Sequence, residues 1–348
     1  MGSRLKYLSA NLMMLFCSCY VNAQKQLPVS LLQSGKNTID VFIGGKPFTS
    51  FLFPDSLEKP VLYPVYAANG TIVTRGFPLK PEPGDPIDHP HHIGIWFNYE
   101  NVNGLDFWNN SKAIPASKKA QYGWIRTDKI LQTSNGTTGI LRYHANWTNQ
   151  QNKILAREIT QLSFSGNDHQ RVIDRVTTIT ADTVLLFADV KDGLLGLRLA
   201  HALQIPTGKD QKFTDDKGNV TIIKGGADKV ANGNYTSSEG KAGDSVWGTR
   251  ARWCKAFGKM SNDSISVVII DHPLNPNYPT FWHARGYGLF AANPLGEKVF
   301  TNGASSKSLR LKKGESVIFR YRIVIDEGKQ TISHAEIETL ADDFKKLK

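Results

Sequence analysis

The sequence predicts an all-β protein, a large antiparallel β-sandwich closed by one short C-terminal helix. Three observations predict it. Apolar and polar residues alternate with period two through most of the chain from residue 27 to residue 325. Turn-forming pairs such as Gly44-Gly45 and Asn135-Gly136 separate these runs at hairpin spacing. Helical spacing is confined to the end, where Ile337, Leu340, Phe344 and Leu347 follow the capping box of Ser333 and Glu336.

Taken in order, residues 39–53 predict a hairpin turning at Gly44-Gly45. Residues 60–66 are flanked by proline and suit an edge or a crossing segment. Residues 71–77 predict a strand ending at Arg75-Gly76. Residues 78–87 hold Pro78, Pro81, Pro83 and Pro86, a stiff approach with little freedom to lose. Residues 122–148 predict a hairpin with Asn135-Gly136 at its tip, and residues 154–180 another turning at Gly166-Asn167-Asp168. Residues 184–190 predict a buried strand. Residues 196–205 alternate, with His201 among apolar neighbours as a core histidine. Residues 207–245 are rich in Gly, Asp, Lys and Asn, a loop long enough to be functional. Residues 247–260 and 264–271 form a strand pair turning at Ser261-Asn262-Asp263. Residues 281–290 put Phe281, His283, Arg285 and Tyr287 on one face, and residues 309–325 predict a last hairpin around Lys313-Gly314.

The first 23 residues predict a signal peptide, leaving residues 24–348 as a single domain. Arg4 and Lys6 precede an apolar run over residues 7–20, and Val21-Asn22-Ala23 offers a small-residue cleavage site. The expectation is a periplasmic or secreted protein cleaved near Ala23; the alternative is a lipoprotein anchored at Cys19. No later run is long enough to span a membrane. Cys17 and Cys19 lie in the leader, so Cys254 is left alone and no disulfide framework is expected. The net charge is +11, but the basic residues are scattered, which argues against nucleic-acid binding.

The chemistry concentrates in Asp88-His89-Pro90-His91-His92, followed by Trp96, Asn103-Gly104 and Phe107-Trp108. Three histidines in four positions beside carboxylates and indoles suit acid–base work, metal ligation or sugar binding. Asp271-His272-Pro273 echoes Asp88-His89-Pro90. Both precede aromatic strands, so the two are expected to converge on one pocket with Arg75, Arg198, His283 and Arg285, where Asp88, Asp192 and Asp271 balance the cations. Replacing His92 is expected to abolish turnover and spare stability.

These segments, with Lys191-Asp192, Arg198, Trp247-Gly248, Arg252-Trp253, Asn275, Pro279-Thr280, Trp282-His283-Ala284-Arg285 and Asn293-Pro294, resemble an exported bacterial family called "methane oxygenase PmoA-like", whose activity is unsettled. The resemblance runs from about residue 60 to residue 325. It implies a β-supersandwich similar to that of galactose mutarotase and an exported carbohydrate-active enzyme without an organic cofactor. A histidine among His89, His91 and His92 would be general acid or base, partnered by Asp88 or Asp192. Arg75, Arg198 and Arg285 would hold substrate oxygens, with Trp96, Trp108, Asp271, His272, His283 and Asn293 completing the sugar site. Epimerisation, elimination and hydrolysis stay open. The alternatives are an oxygenase with a divalent metal on His89, His91 and His92, and a non-catalytic glycan-binding protein.

Overall fold

The computed structural model describes residue 2 and residues 25–214 and 220–347. The expected leader, its cleavage site and Cys19 lie outside the described residues. Two eight-stranded antiparallel sheets dominate. The first runs Val29–Gly35, Thr38–Ile43, Lys46–Leu52, Val61–Val65, Ile95–Tyr99, Gly193–Arg198, Leu289–Asn293 and Phe281–Arg285. The second runs Asn234–Ser237, Trp253–Met260, Asp263–Asp271, Ser316–Gly328, Gln170–Ala181, Ile154–Gly166, Gly139–Thr148 and Trp124–Ser134.

Alternation explains how the sheets meet. Every second residue of Gln170–Ala181 is buried, as a strand with one face on a core requires. The inward rows join in one apolar core that takes Ile95, Phe97, Leu195 and Phe290 from the first sheet and Tyr143, Leu162, Ile173 and Ile323 from the second. Phe51 packs on Tyr143 and Phe97 on Phe319 across the gap. Polar residues also point inward. Glu158 accepts from Arg175 at 2.9 Å, from the Tyr143 hydroxyl at 2.9 Å and from the Trp147 indole at 2.8 Å, so this buried charge is fully partnered.

The hairpins at Gly44-Gly45, Asn135-Gly136 and Gly166-Asn167-Asp168 form as expected. Cys254 is buried and free, as expected. The C-terminal helix, His334–Phe344, starts at Ser333, whose hydroxyl accepts from the Glu336 amide, and covers Trp253, Val268, Ile270 and Val324 on the outer face of the second sheet.

Four expectations are corrected. Residues 71–77 make only isolated bridges, because Arg75 turns inward to bind the loop that follows. The strand predicted over 196–205 stops at Arg198 and passes into a 3-10 turn, His201–Leu203, where His201 is buried against Asp228 at 2.8 Å. Residues 281–290 are two strands split by a turn that carries Tyr287. Leu309–Leu311 pairs with Leu185–Phe187, leaving Ser316–Gly328 to the second sheet.

The long segment 207–245 is not unstructured. Gln211–Thr214 pairs with Val220–Ile223 on one side and with Asp85–Pro86 on the other, so the segment folds back over the proline-rich approach to the histidines. No helix among the described residues is long and apolar enough to cross a membrane.

Candidate functional site

The site stands on the face of the first sheet turned away from the second. Where Ile95, Phe97, Leu195 and Leu197 point into the core, their neighbours point outward. Cross-strand pairing then places Val61, Trp96, Gly196, Ala291 and His283 in one row. Arg198, Leu289 and Arg285 form the next. Gly196 is required there, since a Cβ would meet Trp96 at 2.4 Å and Trp108 at 2.8 Å. Gly94 is required for a similar reason: it has φ +53 and a Cβ would strike the Leu62 carbonyl at 2.0 Å.

Arg75 organises the histidine segment. Its buried guanidinium donates to the carbonyls of Pro86 at 3.0 Å, Asp88 at 2.7 Å and His89 at 2.9 Å, and to the Asp88 carboxylate at 2.9 Å. Arg198 grips the same carboxylate at 2.6 Å. Burial opposes the charge on Asp88, but the His89 hydrogen bond and the Arg198 and Arg75 charges outweigh it and hold the carboxyl below its usual range. Burial and the Arg198 charge bring Arg75 down to about 9, still cationic at neutral pH.

His89 sits at the outer end, its side chain 42% exposed and its Nδ1 2.5 Å from Asp88. Its φ of 47° is uncommon for a residue with a side chain, a local strain of on the order of 1 kcal/mol. Four rings stack from there: Tyr287 on His89 at 5.0 Å, His89 on His92 at 4.9 Å and His92 on Trp96 at 5.0 Å. His91 and His92 are buried and neutral: burial first, then Lys59 for His91 and His91 for His92, push their pKa values well down. Arg198 donates toward His92 Nδ1 at 3.3 Å, which puts the His92 proton on Nε2.

A second group lies along the same face. His283 Nδ1 is 3.1 Å from the Lys191 carbonyl and 3.3 Å from the Asp192 carboxylate. Burial lowers His283 to about 4, and Asp192 offsets this only in part. Lys191 pairs with Asp192. Asn293 donates to the carbonyls of Val190 at 2.8 Å and Lys191 at 2.9 Å, so it positions this turn. Glu100, absent from the sequence expectations, is pushed up to about 7 by burial and by the Asp192 charge. Tyr287 joins the two groups: burial raises it to about 12, and it feels Arg198, Arg285, Asp192 and Asp88.

A cleft of about 900 Å³ opens beside the stack, lined by Asp88, Gln204, Trp247, Arg285, Tyr287 and the start of the long segment at 205–212. The Arg285 guanidinium lies over Trp247 at 5.3 Å. Here several expectations change. Trp96 and Trp108, expected to cover a sugar, are 1% exposed and form the floor behind the histidines. Tyr287 and Trp247 face the cleft instead; Tyr287 shares the alternation of His283 and Arg285, a signal available in the sequence. His92 is buried within the stack, so replacing it would remove packing as well as a polar group, and a loss of stability is the outcome its burial points to.

Asp271 and His272 do not converge on the cleft. They end a strand of the second sheet, whereas Ile95–Tyr99 belongs to the first. Asp271 accepts from Asn275 at 2.7 Å and from the Thr280 amide at 2.8 Å, and His272 packs edge-on against Phe344 of the C-terminal helix. Asp88, Asp192, Arg198 and Arg285 all act on Tyr287, while Arg75 and His89 contact Asp88 and His283 contacts Asp192. A metal on His89, His91 and His92 does not fit. His89 and His92 are stacked with 1° between their planes, so their lone pairs do not meet at one point. Among the described residues no group of three or more His, Cys, Asp and Glu is arranged to hold a metal ion.

The model of a protein family described as "Family of unknown function (DUF6807)" matches residues 38–342. A search of curated proteins finds no match. Among solved structures, the chain is similar to an α-galactosidase from Lactobacillus brevis, at 10% identity and TM-score 0.36, over 88% of this chain and 40% of that one. It is similar to a GH36 α-galactosidase from Geobacillus stearothermophilus, at 9% identity and TM-score 0.38, over 86% and 41%. It is also similar to a galactose mutarotase related enzyme from Lactobacillus acidophilus, at 9% identity and TM-score 0.28, over 88% and 99%. The chain thus spans about 40% of the length of the two α-galactosidases.

Proposed function

We propose that this chain, which belongs to the family of unknown function DUF6807, binds a sugar ring in the cleft and acts on it by proton transfer at His89. The observation that carries the reading is the Asp88–His89 pair beside the cleft, with Asp88 and the Tyr287 that stacks on His89 in the cleft lining. Asp88 is kept anionic by two buried guanidiniums, so it accepts the His89 Nδ1 proton and fixes the ring. Nε2 is then left to take or give a proton. Tyr287 backs the imidazole, and Tyr287 and Trp247 give the cleft the aromatic surface that suits the apolar face of a sugar. His283, Asp192 and Glu100 supply further ionisable groups on the same face, for a partner acid or base. The reaction is one of epimerisation, elimination or hydrolysis, all of which need such a pair near a ring carbon.

The test is a turnover screen on glycosides and free sugars with the natural chain and with His89→Gln. The side chain of His89 is 42% exposed, so the variant is expected to keep its melting temperature. It should lose activity by about a hundredfold or more, the usual worth of a general acid or base. Binding of sugars with no turnover by the natural chain would leave a glycan-binding protein. Full activity in His89→Gln would remove His89 from the chemistry.

A further inference from the structure

The charges around the cleft are not balanced, and this bears on the substrate. Six charged side chains line it: Asp88, Asp210, Asp244, Lys209, Lys212 and Arg285. Two of the carboxylates are already committed. Asp88 is held by Arg75 and Arg198, neither of which lines the cleft. Asp210 accepts from Lys224 at 2.7 Å and from the Gly225 amide at 3.0 Å. Asp244 is left against three cations, of which Arg285 is the best placed. Arg285 is exposed, its guanidinium lies over the Trp247 ring at 5.3 Å, and among the described residues it has no side-chain hydrogen bond or ion pair. An arginine held by an indole keeps its fork oriented without using its donors, the arrangement suited to a planar carboxylate.

We infer that the substrate is an acidic sugar, a uronic acid residue or a glycoside containing one, with its carboxylate paired to Arg285 and Lys209 or Lys212 beside it. This rests on the sugar-binding reading above and sharpens it. Its geometric basis is that Arg285 and Tyr287 leave the same turn. A sugar ring held at the edge of the Tyr287–His89 stack therefore has Arg285 within reach of a substituent. Arg285 is then a specificity-determining residue: it selects for the carboxylate, and the proton transfer belongs to His89.

The experiment uses oligogalacturonate and oligoglucuronate, together with the same oligosaccharides after reduction of their carboxyl groups to alcohols. Binding is measured by titration calorimetry at two salt concentrations, with the natural chain, Arg285→Gln and Arg285→Lys. At least one acidic oligosaccharide is expected to bind about tenfold or more tightly than its reduced counterpart, the worth of one charge-assisted hydrogen bond. That preference should fall with salt, vanish in Arg285→Gln and return in part in Arg285→Lys. The exposed position of Arg285 makes a folding failure unexpected, and melting curves of each variant verify it. Reduced oligosaccharides binding as well as the acidic ones, or a preference that survives Arg285→Gln, would overturn the inference and leave the sugar-binding reading intact. Binding of neither set would overturn both.

Discussion

At the scale of single residues, the sequence showed the pair that matters most and hid its partners. Asp88 and His89 are adjacent in the chain, so their contact needs only a turn. Glu100 and Asp192 are 92 positions apart and meet only because Ile95–Tyr99 and Gly193–Arg198 are neighbours in a sheet. Long-range pairing of that kind is not written in local periodicity. Glu100 also gives a test with a definite sign. Its folded pKa of about 7 lies above the ordinary 4.5, so the folded protein favours the neutral form. Stability is therefore lost as pH rises from the ordinary 4.5 to about 7, and the loss is complete above that. Glu100→Gln mimics the neutral form. It should raise the melting temperature relative to the natural chain at pH 8, by on the order of 1–2 kcal/mol of stability, and change little at pH 5. An equal effect at both pH values would show that burial of this carboxylate is not what the substitution relieves.

Among elements, the strand Gly193–Arg198 carries the most. It sends Leu195 and Leu197 inward and leaves Gly196 and Arg198 outward, so one short strand builds both core and site. Alternation made that division legible; the end of the strand was not, because Leu199 and Leu203 stay buried after the regular pairing has stopped. Apolar period two persists there as a consequence of packing alone. Gly196→Ala is the sharp test. The new methyl would overlap Trp96 and Trp108, and overpacking of this kind costs about 1–3 kcal/mol. The melting temperature should fall, and turnover should fall with it, since Trp96 supports the stack that ends at His89. A variant as stable and active as the natural chain would show that the two indoles have room to move.

For the whole molecule, the two-sheet architecture was legible because each strand alternates against one shared core. The sorting of strands between sheets was not, and so Asp271-His272 was placed beside a segment that belongs to the other layer. A polar group of the second sheet also meets the first in the interior. Glu158 and Arg175 come from adjacent strands of the second sheet, and the Arg175 guanidinium lies 4.6 Å from the Phe97 ring of the first. Glu158→Ala leaves that guanidinium buried without its counter-charge. Denaturant unfolding should show a loss of about 3–5 kcal/mol. A loss below about 1 kcal/mol would mean that Tyr143, Thr160 and Thr177 satisfy Arg175 on their own.

The four stacked rings have one more property. Tyr287 touches the cleft, and Trp96 lies at the other end, out of reach of any ligand, with its indole N–H unpartnered among the described residues. A ring current reaches only the ring beside it, so a molecule that tilts Tyr287 alters the magnetic environment of His89, the ring it stacks on. Trp253, on the far sheet under the C-terminal helix, shares none of this. The chain therefore contains its own pair of resonances, one sensitive and one indifferent, by which occupancy of the cleft can be read before any reaction is known.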